Sequence, residues 1–185
     1  KRVAVLGAGA SAMDNASVAL EHGADVDLFV RKPEPTLHQR YRWLTFAGFM
    51  KHIGEMPDDW RWRIMGTILR AREGFPADTY KRANAHPNFT MHLSRGWTGA
   101  RMEGDRIRVE TARGPFHADY AICGTGIRHD PGLRPELAGF ADRIALWRDR
   151  YTPPAGDEDE LLGAYPYLGA DYAFLEKVPG TAPFL

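Results

Sequence analysis

Val3-Ala4-Val5-Leu6-Gly7-Ala8-Gly9-Ala10-Ser11-Ala12-Met13 is the stretch that decides the fold. A short apolar run ends in two glycines one residue apart, and from Ala12 onward Met13, Ala16, Ala19 and Leu20 recur at helical intervals. Gly23 stands where that helix has to stop, and Val26, Leu28, Phe29 and Val30 supply a second, mostly buried strand. Strand, tight turn, helix and parallel strand are the opening unit of a Rossmann-like α/β sheet. Such a turn suits a diphosphate. Gly7 permits the tight bend, Gly9 puts no side chain in the way, and the helix that follows aims unpaired N–H groups at the anion. Gly7, Ala8, Gly9, Ala10, Ser11 and Ala12 are therefore the candidate cofactor-binding residues, with Ala12 standing where the fingerprint has a third glycine. The alternative is a glycine-rich strand–helix turn that binds nothing.

The end of the second strand chooses between dinucleotides. An NAD site places Asp or Glu there for the ribose 2′-hydroxyl, whereas a 2′-phosphate calls for cationic, preferably planar donors. Counted from Gly7, that position falls near Val30, and Arg31 and Lys32 come next. Asp25 and Asp27 lie too early, inside the strand. NADP(H) is the expected cofactor, with Arg31 and Lys32 as its 2′-phosphate residues; the competing possibility is two solvated charges ahead of Pro33-Glu34-Pro35.

The segment Gly7-Ala8-Gly9-Ala10-Ser11-Ala12-Met13-Asp14-Asn15-Ala16 resembles the NADPH fingerprint of flavin-containing monooxygenases, G-x-G-x-S-G-x-D-x-A, with Ala12 for the last glycine. Arg31 matches the 2′-phosphate arginine of that family and of the wider group of flavoproteins with two dinucleotide-binding domains. Downstream, Asp119-Tyr120-Ala121-Ile122-Cys123-Gly124-Thr125-Gly126 is similar to the "ATG" segment of those proteins, where the chain leaves the NADPH domain, with Gly124 for the usual alanine. The resemblance covers residues 1–126 and implies cofactor contacts at Gly124, Thr125 and Gly126. It further implies an NADP(H)-binding domain that presents hydride to FAD, with the FAD domain of a parent chain as partner. A monooxygenase-like activity comes first; a non-oxygenating flavoprotein reductase, or a nucleotide-binding or interaction module without turnover, are the alternatives. The family's FAD fingerprint and its F-x-G-x-x-x-H signature do not occur between Lys1 and Leu185, so the sequence is expected to be a piece of a longer flavoprotein.

Composition narrows the field further. The 185 residues suffice for one substantial core with an appendage, and the formal net charge is zero with no basic block, which argues against a nucleic-acid partner. Residues 31–72 carry nine Arg or Lys against four Asp or Glu, and residues 151–185 one against six, so basic charge begins at the proposed phosphate site. Cys123 is the single cysteine, which excludes an internal disulfide or C-x-x-C pair. No run approaches the roughly 18 consecutive apolar residues of a membrane span, and a cytoplasmic location is expected. The seven histidines are scattered without metal-ligand spacing. No catalytic residue is assigned: Ser11 lies outside any G-x-S-x-G context, and His129-Asp130 is at most a polar pair.

Within the expected domain of residues 1–126, a helical insertion covers about 37–85. Trp43, Phe46, Phe49, Met50 and Ile53 predict a helix over roughly 37–54. Pro57-Asp58-Asp59 predicts the start of a second, with Trp60, Ile64, Ile68 and Leu69 on its apolar face, and a third spans about 77–85. These aromatics either pack as a satellite core on the sheet edge or form a lid. His38 and Arg40 are further candidates for touching adenine or phosphate. Strands follow at Phe89–Leu93, Trp97–Met102, Ile107–Thr111 and Phe116–Cys123, so a three-stranded β-meander is expected over about 89–116. Residues 127–185 read as a connector and partial FAD-side segment, with a short strand at Ile144–Trp147 and an acidic helix beginning at Asp157.

Overall fold

The computed structural model describes residues 1–37, 44–71 and 74–180. They form two units, one of Lys1–Arg40 with Arg72–Ile127, the other of Tyr41–Ala71 with Arg128–Leu185. In the first, β1 (Arg2–Leu6) leads through α1 (Ala10–Glu21) to β2 (Asp25–Phe29). Helix α1 ends as its sequence demands: Gly23 sits at φ +78, donating its N–H to the Leu20 carbonyl while Ala24 donates to that of Ala19.

A four-stranded parallel sheet is completed by β3 (Phe89–His92) beside β2 and by a strand at Tyr120–Cys123 beside β1. The meander is a separate antiparallel sheet of β4 (Trp97–Glu103), β5 (Arg106–Thr111) and β6 (Phe116–Ala118). The run expected as one strand from Phe116 to Cys123 therefore divides. Its first half stays with β5, and its second half, β7 (Tyr120–Cys123), joins the parallel sheet. Likewise Phe89–His92 belongs to the parallel sheet, so the antiparallel meander begins at Trp97 rather than near residue 89.

Alternation along β1 and β2 sends side chains to two different cores. Val3, Val5, Val26, Leu28 and Val30 meet Met13, Ala16 and Leu20 of α1, with Phe75 and Ala83. Ala4 and Phe29 face the other way, toward Val109, Ala118, Trp97 and Phe116 of the meander. Asp27 also points to that side and is only 3% exposed, so its carboxylate has to be paired. Arg2 Nε donates to one oxygen at 2.8 Å and His92 Nε2 lies 2.7 Å from the other. On the opposite face α4 (Ala77–Asn84), the expected third helix, is tied to α1 by Arg82, whose Nε and a terminal nitrogen donate to both Glu21 oxygens at 2.6 and 2.7 Å.

The second unit contains the first two expected helices, in altered form. The helix predicted over 37–54 is observed as α2 (Ala47–His52) followed by a short 3-10 turn to Glu55; residues 38–43, including His38, Arg40 and Trp43, lie outside the described residues. Phe46 is extended (φ −86, ψ 149) and starts the helix late. Phe46 and Met50 are exposed, so among the described residues they give the helix no buried stripe. Helix α3 (Asp58–Ala71) begins where expected, but of the expected face Trp60, Ile64, Ile68 and Leu69 only Leu69 joins the core. Trp62 is 3% exposed and packs with Met65, Leu69, Trp147 and Leu162, whereas Trp60 is 58% exposed.

That core is closed by residues far along the chain. Two short helices, α5 (Trp147–Arg150) and α6 (Glu160–Gly163), supply Trp147 and Leu162, and Tyr151, Tyr165 and Tyr167 pack around them. The strand expected at Ile144–Trp147 is reduced to bridges at Ile144 and Leu146, since Trp147 already opens α5. Arg61 lies over the Trp147 and Tyr167 rings, 4.8 and 5.0 Å from their centroids, and pairs with Asp58 at 3.2 Å. The Tyr167 hydroxyl donates to the same carboxylate at 2.9 Å. Burial, then the Asp58 hydrogen bond, pushes the Tyr167 hydroxyl above the usual tyrosine range.

Two outcomes test this packing. Trp62→Ala should cost about 3–5 kcal/mol in denaturant unfolding, while Trp60→Ala should stay within about 0.5 kcal/mol; equal effects would overturn the assigned face. For the α1–α4 clamp, the Arg82 hydrogen bond lowers the Glu21 pKa despite some opposing desolvation. A depressed carboxylate stabilises above its unfolded value of about 4.3 and loses that contribution as pH falls through the lower folded value. Glu21→Gln should therefore lower the melting temperature slightly at pH 7, and the difference from wild type should vanish in acid.

Candidate functional site

Strand order β3-β2-β1-β7 reverses direction of travel at β1: the chain moves to one side through β2 and returns on the other at β7. Clefts at the carboxyl ends of strands on either side of such a point are where open α/β sheets bind ligands. Gly7-Ala8-Gly9 emerges there, followed at once by α1. The turn is tied to both neighbours, with Gly7 N–H donating to the Phe29 carbonyl at 3.1 Å and Gly124 N–H to that of Leu6 at 2.7 Å.

The two fingerprint glycines serve opposite purposes. Gly7 has φ +150, and a Cβ added there would run into the Gly124 carbonyl oxygen and sit 2.7 Å from the Ala12 Cβ. It is glycine because the protein behind it is close. Gly9, at φ −103, would point a Cβ into open space, with no atom within 4 Å. It leaves the front of the turn clear. Gly9 is also the N-cap of α1 and offers no side chain to the first helical amides, so the N–H groups of the first turn are available to an anion. Ser11 is exposed at the same end.

Gly124 explains two departures from the family pattern together. A Cβ on it would come within 2.6 Å of the Ala12 Cβ and 2.8 Å of the Ala12 Cα. The space between α1 and the end of β7 holds one methyl group, and here residue 12 supplies it while residue 124 does without. Thr125 and Gly126 follow as exposed residues, Gly126 in a left-handed conformation at φ +103. The structure thus brings Gly7, Ala12 and Gly124 into contact range.

Arg31 and Lys32 follow β2 at this same sheet edge. Arg31 is exposed and, among the described residues, has no ion-pair partner; Lys32 Nζ is 3.4 Å from Thr36 Oγ1. Asp27, the acidic competitor, is committed to Arg2 and His92 inside the sheet. Sequence reading missed the loop after β3. Ser94 N–H donates to the Lys32 carbonyl and Arg95 N–H to that of Val30, at 3.0 and 2.9 Å, which places this loop beside the β2 tip. Arg95 itself turns inward, with Nε donating to Thr111 Oγ1 at 2.9 Å and its guanidinium over Phe29. Long-range strand pairing leaves no short-range signal. In the second unit the His129 ring lies tilted against that of Tyr165, centroids 4.7 Å apart, and Asp130 accepts from Gly132 N–H at 3.0 Å, so the two do not act as a polar pair. Among the described residues there is no cluster suited to a metal ion, and no helix long and apolar enough to cross a membrane.

This fold is the one found in flavin monooxygenases. L-lysine 6-monooxygenase from Pseudomonas syringae superposes with a TM-score of 0.65 over 95% of this chain and 43% of its own, at 16% identity. The ornithine N-hydroxylase of Kutzneria sp. 744, in a structure with reduced FAD, NADP+ and L-ornithine, gives 0.59 over 95% of this chain and 44% of that one, at 17% identity. In sequence, the chain is similar to the FAD-dependent urate hydroxylase of Xanthomonas campestris pv. campestris, with 38% identity over 183 residues. The match takes in 98% of this chain and spans 39% of the relative's length. No family model matches the chain.

Gly124→Ala should destabilise the first unit by about 1–3 kcal/mol through overpacking against α1. Adding Ala12→Gly should recover part of the loss, not all, because the contact with the residue 12 Cα persists. A double variant as unstable as the sum of its single changes would show that the two positions do not share one space.

Proposed function

We propose that this chain is the NADP(H)-binding part of a flavin-dependent oxidoreductase of the monooxygenase kind. The observation that carries the proposal is the asymmetry of the glycine turn: packed tight behind Gly7 and Gly124, open in front of Gly9, and backed by an uncapped helix of 12 residues. A diphosphate needs that combination, since its oxygens have to reach main-chain N–H groups without meeting a Cβ. The turn Gly7-Ala8-Gly9 with Ala10, Ser11 and Ala12 of α1 would hold the diphosphate, and the Ser11 hydroxyl is a further donor. Arg31 and Lys32 would take the 2′-phosphate, Arg31 as the planar partner with no competing carboxylate among the described residues. Gly124, Thr125 and Gly126 would border the cofactor from the β7 side.

NADPH held here would supply a hydride for the FAD of a parent flavoprotein. The residues of this chain bind and orient the dinucleotide, and none is assigned a proton transfer. The similarity to a urate hydroxylase and the fold shared with lysine and ornithine hydroxylases support the oxygenating branch over a reductase. A cytoplasmic location belongs to the same proposal.

Titration calorimetry with NADPH and NADH tests it. Arg31→Ala should weaken NADPH by about 10- to 100-fold, the worth of charge-assisted hydrogen bonds to phosphate, and leave NADH nearly unchanged. Gly9→Val, whose Cβ would have no protein atom within 4 Å, should melt like wild type yet weaken both cofactors. Equal losses of NADPH and NADH in Arg31→Ala would remove the 2′-phosphate assignment, and unaltered binding by Gly9→Val would remove the diphosphate turn.

A further inference from the structure

We infer that Gly96 determines cofactor specificity by providing the bed on which Arg31 lies. This rests on the NADP(H) reading above and extends it to a residue outside the fingerprint. Gly96 is carried to the β2 tip by the loop after β3, whose N–H groups at Ser94 and Arg95 are bonded to the carbonyls of Lys32 and Val30. Ser94 holds a left-handed conformation, φ +51, which is uncommon for a residue with a side chain and marks a loop held by its surroundings. At Gly96 itself φ is not positive, so the backbone places no demand for glycine.

What requires glycine is Arg31. A Cβ on residue 96 would come 2.6 Å from the Arg31 Cγ and 3.2 Å from its Cδ. Those are stem atoms of a flexible, exposed side chain, so an alanine is accommodated by rotating Arg31 away rather than by moving backbone. The loss falls on where the guanidinium stands, not on the fold. Arg95 does not replace it, being turned toward Thr111 and Phe29, and Lys32 beside it brings a point charge without the planar fork. An arginine ordered along its stem gives up less rotamer freedom when it meets an anion, so the bed favours the 2′-phosphate by preorganisation.

The test compares wild type, Gly96→Ala, Arg31→Ala and the double variant, with dissociation constants for NADPH and NADH and a melting temperature for each. Gly96→Ala should melt like wild type, keep its NADH affinity, and lose about tenfold in NADPH preference, part of what Arg31 contributes. In the Arg31→Ala background the same change should have no further effect, because the two residues act as one device. Undiminished NADPH preference in Gly96→Ala overturns the inference. So does an equal loss with and without Arg31, or a fall in both cofactors together with melting temperature. If wild type does not favour NADPH, or Arg31→Ala leaves its preference intact, the cofactor reading itself has failed, whatever Gly96→Ala does.

Discussion

Three pieces of backbone meet at van der Waals limits where β1 ends: the turn at Gly7, the first coil of α1 at Ala12, and the end of β7 at Gly124. Hydrogen bonds from Gly7 to Phe29 and from Gly124 to Leu6 lock the turn between its neighbouring strands. Because the back of the turn is full, its amides are held in place, and because Gly9 has no side chain, its front is accessible. Rigidity behind and clearance in front are what a site for a diphosphate needs before any ligand arrives. The helix, the parallel sheet and the proposed cofactor contacts all depend on this single close approach.

Charge in the first unit is arranged in two regimes. Inside the sheet, Asp27 is nearly inaccessible and is satisfied by Arg2 and His92, whose ring also stacks on Phe29. Removing Arg2 or His92 would leave one of the two buried carboxylate oxygens without its partner, so the group is structural. At the sheet edge, Arg31 is exposed with no ion-pair partner among the described residues. Arginines 31 and 95 lie close to the same strand tip, yet only the first faces outward. Their different tasks follow from Thr111 and Phe29 engaging one and Gly96 making room for the other.

The second unit shows how far a helical stripe under-determines packing. Helix α3 carries two usable apolar series, Trp60-Ile64-Ile68 at intervals of four and Trp62-Met65-Leu69 at three and four. The second is the one that joins the core, with Trp62 buried and Met65 and Leu69 packed beside it. Its partners, Trp147, Leu162 and the surrounding tyrosines, lie about eighty or more residues away in sequence, and the Trp62 indole donates to the Asp157 carbonyl at 2.8 Å. Local periodicity proposes faces, and the distant partner selects one. The same holds for α2, where spaced aromatics suggested a longer helix but Phe46 and Met50 remain exposed.

Sequence alone determined the elements whose causes are local: the strand–turn–helix–strand opening, the stop at Gly23, the short helix at 77–84, the strands after Pro87, and the position of the two glycines in the turn and of Arg31 and Lys32 past the second strand. Turn conformation, capping and apolar period act over a few residues and can be read directly. Only the tertiary structure decided that Phe116–Cys123 is shared between two sheets, that Phe89–His92 sits in the parallel one, that Gly124 makes room for the Ala12 methyl, and that Gly96 receives Arg31. Each of those depends on which atoms the fold brings within a few ångströms, and separation along the chain carries no record of it.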